Sequence, residues 1–165
     1  MSLYPQKISM VYFVIAFIFL LQYNIPPFYI SSFPVIPDLL FSFILFYSFK
    51  CSRSKILVVV FLLSLIQDFQ INFDIIGSVT FSNLIAIYIF STILLLKNST
   101  VRKFILYLTI FIILTFKYLI FYSILSFGKD ISIFMIANAI VIQSFLTISI
   151  IAIVNEMILP NKILK

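Results

Sequence analysis

The sequence contains no histidine, one cysteine, two glycines and five acidic residues. Without histidine there is no imidazole for acid–base catalysis, for haem ligation or for a histidine metal site. The single Cys51 excludes intramolecular disulfides and cysteine-rich metal centres. Gly77 and Gly128 are the only glycines, so no P-loop or other glycine-rich nucleotide loop is encoded. The acids are Asp38, Asp68, Asp74, Asp130 and Glu156, and they form no paired-carboxylate motif at helical spacing.

What fills the chain instead is apolar. Of its 165 residues 64% are hydrophobic and 10% charged, with a mean hydropathy of +1.26. Soluble domains run at about 45–50% apolar and about 25% charged. A domain of this size in water has too little interior to hide so much apolar surface. The composition implies an integral membrane protein. It excludes intrinsic disorder, a disulfide scaffold and a free cytosolic enzyme. A net charge of +6 suggests nucleic acid at first sight. The bases, however, sit in short breaks between apolar runs, where they set membrane topology rather than grip phosphates.

A membrane helix needs about 20 apolar residues. Six segments are candidates, at about 8–23, 37–49, 56–71, 75–96, 104–127 and 131–157, the second of them short. They are continuous apolar runs rather than alternating ones, which favours helices over a transmembrane barrel. The expected fold is therefore all-α: a polytopic six-helix bundle, with residues 1–165 as a single membrane-embedded domain. Asn24, Pro26, Pro27, Pro34 and Pro37 make the first connection extended and non-helical. Its apolar content predicts a segment at the interface or folded back onto the bundle. Asn72, Asp74 and Gly77 break the third and fourth spans, and Gly128, Lys129 and Asp130 the last pair.

With six spans, Lys7, Lys50, Arg53, Lys55, Lys97, Arg102, Lys103, Lys162 and Lys165 all fall on one side. Only Lys129, beside Asp130, falls on the other. The positive-inside rule then puts both termini in the cytoplasm. The first span lacks a small-residue cleavage site and reads as a signal anchor.

Ionisable groups inside membrane spans are costly and face protein or a cavity. Asp38, Asp68 and Lys117 are of this kind. At a rise of about 1.5 Å per residue they lie roughly 17, 18 and 20 Å from the inner ends of their spans, and Asn83 and Gln143 roughly 20 Å. One expectation is a hydrogen-bonded layer of Asp38, Asp68, Asn83, Lys117 and Gln143, with Lys117 paired to Asp68 or to Asp38. The other is that Lys117 snorkels to the interface and Asp38 only caps the second helix. Ser64, Ser91, Thr92, Thr115, Ser123 and Thr147 are expected to bond to their own helices or to glue neighbours. Tyr23, Tyr47, Tyr107 and Tyr122 are expected to form an aromatic belt, and Asn155 and Glu156 to lie at the interface. No side chain is assigned a catalytic, cofactor or metal-binding role.

The run Pro37-Asp38-Leu39-Leu40-Phe41, the basic loop after it, Leu62-Leu63-Ser64-Leu65-Ile66-Gln67-Asp68 and Ile76-Gly77-Ser78-Val79-Thr80-Phe81 together resemble the rod shape-determining protein family MreD. Asp68 matches the aspartate that ends the third span in that family, and Ile76-Gly77 matches its Leu-Gly. Ser64 and Leu65 stand where the family has a glycine before that aspartate. The resemblance implies a non-enzymatic protein of the bacterial cytoplasmic membrane. In that family the partner is MreC and, through it, MreB, the glycosyltransferase RodA and a class B transpeptidase. The complex organises peptidoglycan synthesis and cell shape.

The MreD fold in turn resembles the substrate-binding subunits of energy-coupling-factor vitamin transporters, which supply the alternative function. Against that alternative, the first helix has a single alanine, Ala16, and no small-residue docking face. An intramembrane enzyme lacks a nucleophile–base pair.

Overall fold

The computed structural model describes residues 16–30, 33–49, 51–71, 75–96 and 103–155. These form six helices and one two-stranded hairpin. The described part of α1 covers residues 16–24. The hairpin is β1 (Phe28–Ile30) and β2 (Phe33–Val35). There follow α2 (Leu39–Ser48), α3 (Arg53–Ile71), α4 (Ser78–Leu96), α5 (Lys103–Leu125) and α6 (Ile133–Ile153). Helices α3 to α6 each pack on the next, and the short α2 packs on α3, α4 and α6.

The chain is predominantly helical, and the departure from an all-α fold is the hairpin. Pro26, Pro27 and Pro34 deny this stretch a helix, because proline lacks the N–H and clashes with the preceding turn. An extended backbone inside a protein must still find hydrogen-bond partners. Here the two arms pair with each other, with Phe28 opposite Val35, Tyr29 opposite Pro34 and Ile30 opposite Phe33. Both strands also rest on α6, so the segment is folded back onto the helices.

Helix boundaries differ from the sequence expectation by a few residues. Helix α3 begins at Arg53 rather than at residue 56, because nothing in Arg-Ser-Lys opposes helix. Helix α6 begins after Ser132, whose side chain accepts from the Met135 N–H at 3.4 Å. The expected first span before residue 16, and Asn72, Asp74, Glu156, Lys162 and Lys165, lie outside the described residues.

Helix α2 has ten residues, about 15 Å of helix. Seven of them are buried: Leu40, Phe41, Ser42, Ile44, Leu45, Phe46 and Ser48. It is packed against α3, α4 and α6. Around it the core draws on Ile56 and Val60 of α3, Ala86, Ile87 and Phe90 of α4, Ile110 and Leu114 of α5, and Ile140 and Ile151 of α6.

The outward faces are as apolar as the inward ones. Along α5, Phe104, Ile105, Leu108, Ile112, Phe116 and Leu119 are exposed, while Leu106, Ile110, Ile113, Leu114 and Tyr118 are buried. A surface helix in water puts polar residues on its outer face. Helices α5 and α6 are long and apolar enough to cross a membrane, over Phe104–Leu125 and Ile133–Ile153.

Two turns rest on glycine. Gly77 has φ +97° and Gly128 φ +75°, values that L side chains rarely adopt, and neither has a neighbour within 4 Å of a built Cβ. Substitution there costs backbone strain and nothing else. Gly128→Ala should destabilise the protein by about 1–2 kcal/mol, and Gly128→Asn by clearly less, because asparagine tolerates this region. Thermal unfolding of the two purified variants checks the order.

Candidate functional site

The buried polar groups gather where elements begin. Pro37 and Asp38 stop the extended segment and open α2. The Asp38 side chain accepts from the Phe41 N–H at 2.9 Å, as an N-cap does. The Leu40 N–H donates to Gln22 Oε1 of α1 at 2.9 Å, and the Ser42 N–H to the Asp38 carbonyl at 3.1 Å. So a helix start buried in the interior has its free N–H groups answered, as a dry environment demands.

The second oxygen of Asp38 takes the Lys117 ammonium in a salt bridge. Lys117 is 2% exposed and does not reach the surface. Its nitrogen also lies 4.0 Å from the centre of the Phe41 ring and 4.8 Å from that of Tyr118. The two readings of Asp38 are thus not exclusive: one oxygen caps α2 and the other pairs with Lys117.

A belt of hydrogen bonds surrounds this pair. The Asp38 N–H donates to Thr147 Oγ1 at 3.4 Å, and the Thr147 and Tyr118 hydroxyls bond at 2.8 Å. One turn away along α6, Gln143 Nε2 donates to the Ile36 carbonyl at 3.0 Å, and Gln143 Oε1 accepts from the Tyr122 hydroxyl. Thr147 glues neighbours here. Tyr122, expected in an aromatic belt, is instead 1% exposed. Its phenol has a buried amide to bond, which a tyrosine at a span end does not need. Asn155, expected at the interface, is likewise buried, and its Nδ2 donates to the Tyr107 hydroxyl at 3.1 Å.

Asp68 and Asn83 belong to a separate network between α3 and α4. Asp68 is not the partner of Lys117. Its Oδ1 accepts from the Val79 N–H and its Oδ2 from the Thr80 N–H, both at 2.9 Å, and Oδ2 also takes the Thr80 hydroxyl. The carboxylate sits on the start of α4, where N–H groups and the helix dipole favour negative charge. One turn along, Asn83 Nδ2 donates to Ser64 Oγ at 2.8 Å. The hydrogen bonds therefore divide the five expected residues into two networks. Asp38, Lys117 and Gln143 join the α2 junction to α5 and α6, and Asp68 and Asn83 join α3 to α4. The depth arithmetic missed this because equal depth does not fix which face of a helix a side chain leaves from.

Gln22 carries no signal of its role in the sequence, being one polar residue among apolar ones near a span end. Tyr118 shares a face with Leu114 and Tyr122 and is legible only as core. Ser91, Thr92 and Thr115 do bond to their own helices, to Tyr88, Tyr88 and Phe111 carbonyls. Among the described residues no group of three or more Asp, Glu or Cys side chains is placed to hold a metal.

No family model, curated protein or solved structure matches the chain.

The buried pair gives a test. Asp38→Asn keeps a capping oxygen and removes the charge, so it isolates the ion pair. Asp38→Asn and Lys117→Met should each cost about 3–5 kcal/mol, because each strands a buried partner. The double variant should cost far less than the sum. A double-mutant cycle on purified protein measures the coupling, and a value near zero rules out the pairing as a stabilising contact. Asp68→Ala should cost about 2–3 kcal/mol through lost charge-assisted bonds to the α4 start, and Asp68→Asn less.

Proposed function

We propose that this chain is a six-span protein of the bacterial cytoplasmic membrane, with both termini inside. In this reading it acts without catalysis, as the MreD-like member of the complex that directs lateral wall growth. The observation that carries the reading is what the motif residues do. Pro37-Asp38 opens a short buried helix and supplies its cap and its ion pair. Asp68, in the last turn of α3, holds the start of α4. Gly77, at φ +97°, makes the turn between them. The residues that carry the resemblance are therefore ones on which the local geometry depends.

The membrane reading draws support from the apolar outer faces and from the charges. Arg53, at the start of α3, lays its guanidinium 4.0 Å from the Tyr88 ring centre. The nearby Lys55 is exposed. Lys129 lies at the opposite end of the helices, in the α5–α6 turn. Among the described residues the buried charges, Asp38, Asp68 and Lys117, are engaged by one another, by backbone N–H groups or by a hydroxyl, an arrangement that suits a scaffold. A scaffold of this kind would pack one apolar face against the membrane helix of MreC. Through MreC it would be linked to MreB, RodA and a class B transpeptidase.

Two measurements test the proposal. Reporter fusions at Lys55 and Lys129 should fall in opposite compartments, and the same compartment for both would remove the six-span topology. Depletion in the native cell should round a rod-shaped cell, and the tagged protein should recover MreC. Loss of uptake of one vitamin with normal shape would replace the proposal with the transporter subunit.

A further inference from the structure

Helix α6 carries one amide that the interior does not use. Its buried face, with Ile140, Gln143 and Thr147, meets the α2 junction and α5. Asn138 lies on the other side. The residues one turn before and after it, Phe134, Met135, Val141 and Ile142, are all exposed. Asn138 itself is half-buried, and its amide makes no hydrogen bond to any described residue. Hydroxyls away from the interior have a local answer: Thr92, Thr109, Thr115 and Ser149 each donate to a carbonyl one turn back. An amide oxygen needs a donor instead, and a helix interior has none to spare, because its backbone N–H groups are engaged. Asn138 stands about 8 Å along the axis from the start of α6, within a stretch long and apolar enough to cross a membrane. In lipid there is no water to take such a group.

The residues in line with Asn138 form a seam. Phe134, Asn138, Val141, Phe145, Ile148 and Ala152 follow one another at alternating steps of four and three. This is the a/d spacing of paired helices, with Asn138 at an a position. Phe134, Val141 and Phe145 are exposed, so none of the described helices covers the seam there. We propose that a second copy of this chain covers it, α6 against α6, with the two Asn138 amides bonded to each other. An amide is both donor and acceptor, so it complements itself. Copies inserted the same way are related by a two-fold axis along the membrane normal. Such an axis sets α6 parallel to α6 and each residue opposite itself, so Asn138 meets Asn138 at equal depth. A foreign helix would need a polar group at that one level. Apolar contacts between helices gain little in lipid, so the amide pair is what prefers this face to the equally apolar outer face of α5. A single asparagine at an a position also fixes register and the number of partners. The inference rests on the membrane placement of α6 and on nothing in the cell-shape reading.

The test uses the full chain in membranes, with single cysteines in a Cys51→Ser background. Val141→Cys, on the seam, should give a disulfide-linked dimer on mild oxidation, and Phe116→Cys, on the outer face of α5, should not. Adding Asn138→Leu to Val141→Cys should remove the cross-link. In bilayers of the purified chain, energy transfer between labelled copies should show the dimer weakened roughly 5- to 30-fold by Asn138→Leu, and less by Asn138→Gln. The unfolding midpoint of Asn138→Leu should match that of the unmodified protein, which separates lost pairing from lost fold. A chain that enters the membrane and stays monomeric overturns the inference and leaves the membrane reading standing. A dimer indifferent to Asn138→Leu overturns it too, as does a monomeric chain whose Asn138→Leu variant loses a different membrane partner. A chain that does not enter bilayers removes the membrane reading and this inference with it.

Discussion

A helix that begins inside a dry interior must bring acceptors for its first N–H groups. Two helices here are started by an aspartate, and the arrangement of the rest follows from how each carboxylate is placed. Asp38 caps its own helix, three residues before the N–H it receives. Asp68 caps another helix from across a turn, reaching the N–H groups of residues 79 and 80. The first fixes where α2 begins. The second fixes the register of α4 against α3. Capping in sequence is a local matter, whereas capping across a turn is a tertiary contact as specific as any in the core.

The short α2 makes sense on these terms. At ten residues it is about half the length of the helices beside it. Its start therefore lies well inside the molecule, preceded by extended backbone at Ile36 and Pro37. Such backbone is tolerated at depth only when protein satisfies it. Gln143 takes the Ile36 carbonyl, Thr147 takes the Asp38 N–H and Gln22 takes the Leu40 N–H. Lys117 completes the set by neutralising the cap. Four side chains from three helices, α1, α5 and α6, therefore converge on one non-helical stretch.

How much of this was legible is best judged residue by residue. Apolar run length located helices α2 to α6 within a few residues, because a continuous apolar run shows no period and its length is what separates helix from strand. The prolines marked 26–37 as extended, but pairing of Phe28 with Val35 depends on register, which apolar residues on both arms do not specify. The buried ions were legible as buried, since Asp38, Asp68 and Lys117 stand within apolar runs. Their partners were not. Asp38 and Asp68 are at the same depth by residue count, and only the helix faces, set by packing, decide that Lys117 meets one and not the other. Tyr122 misled because a tyrosine near a span end has two uses, one at an interface and one at a buried amide, and sequence does not separate them.

The distribution of polarity is inverted relative to a protein in water: exposed Phe, Ile and Leu outside, amides and charges within. In the bilayer setting proposed above, burying one more leucine between helices gains little, since lipid tails are as apolar as leucine. Apolar packing then holds the helices at close density without selecting one arrangement over its neighbours. Selection falls to the polar contacts, because a helix slid or rotated by one residue strands a carboxylate, an ammonium or an amide in a medium with no water to take it. The cost of each misplaced group is what makes the two networks effective. The Asp38–Lys117 group specifies how the α2 junction meets α5 and α6, and the Asp68–Asn83 group specifies how α3 meets α4. Between them they bind five of the six helices, and α4 and α5, which pack on each other, join the two halves.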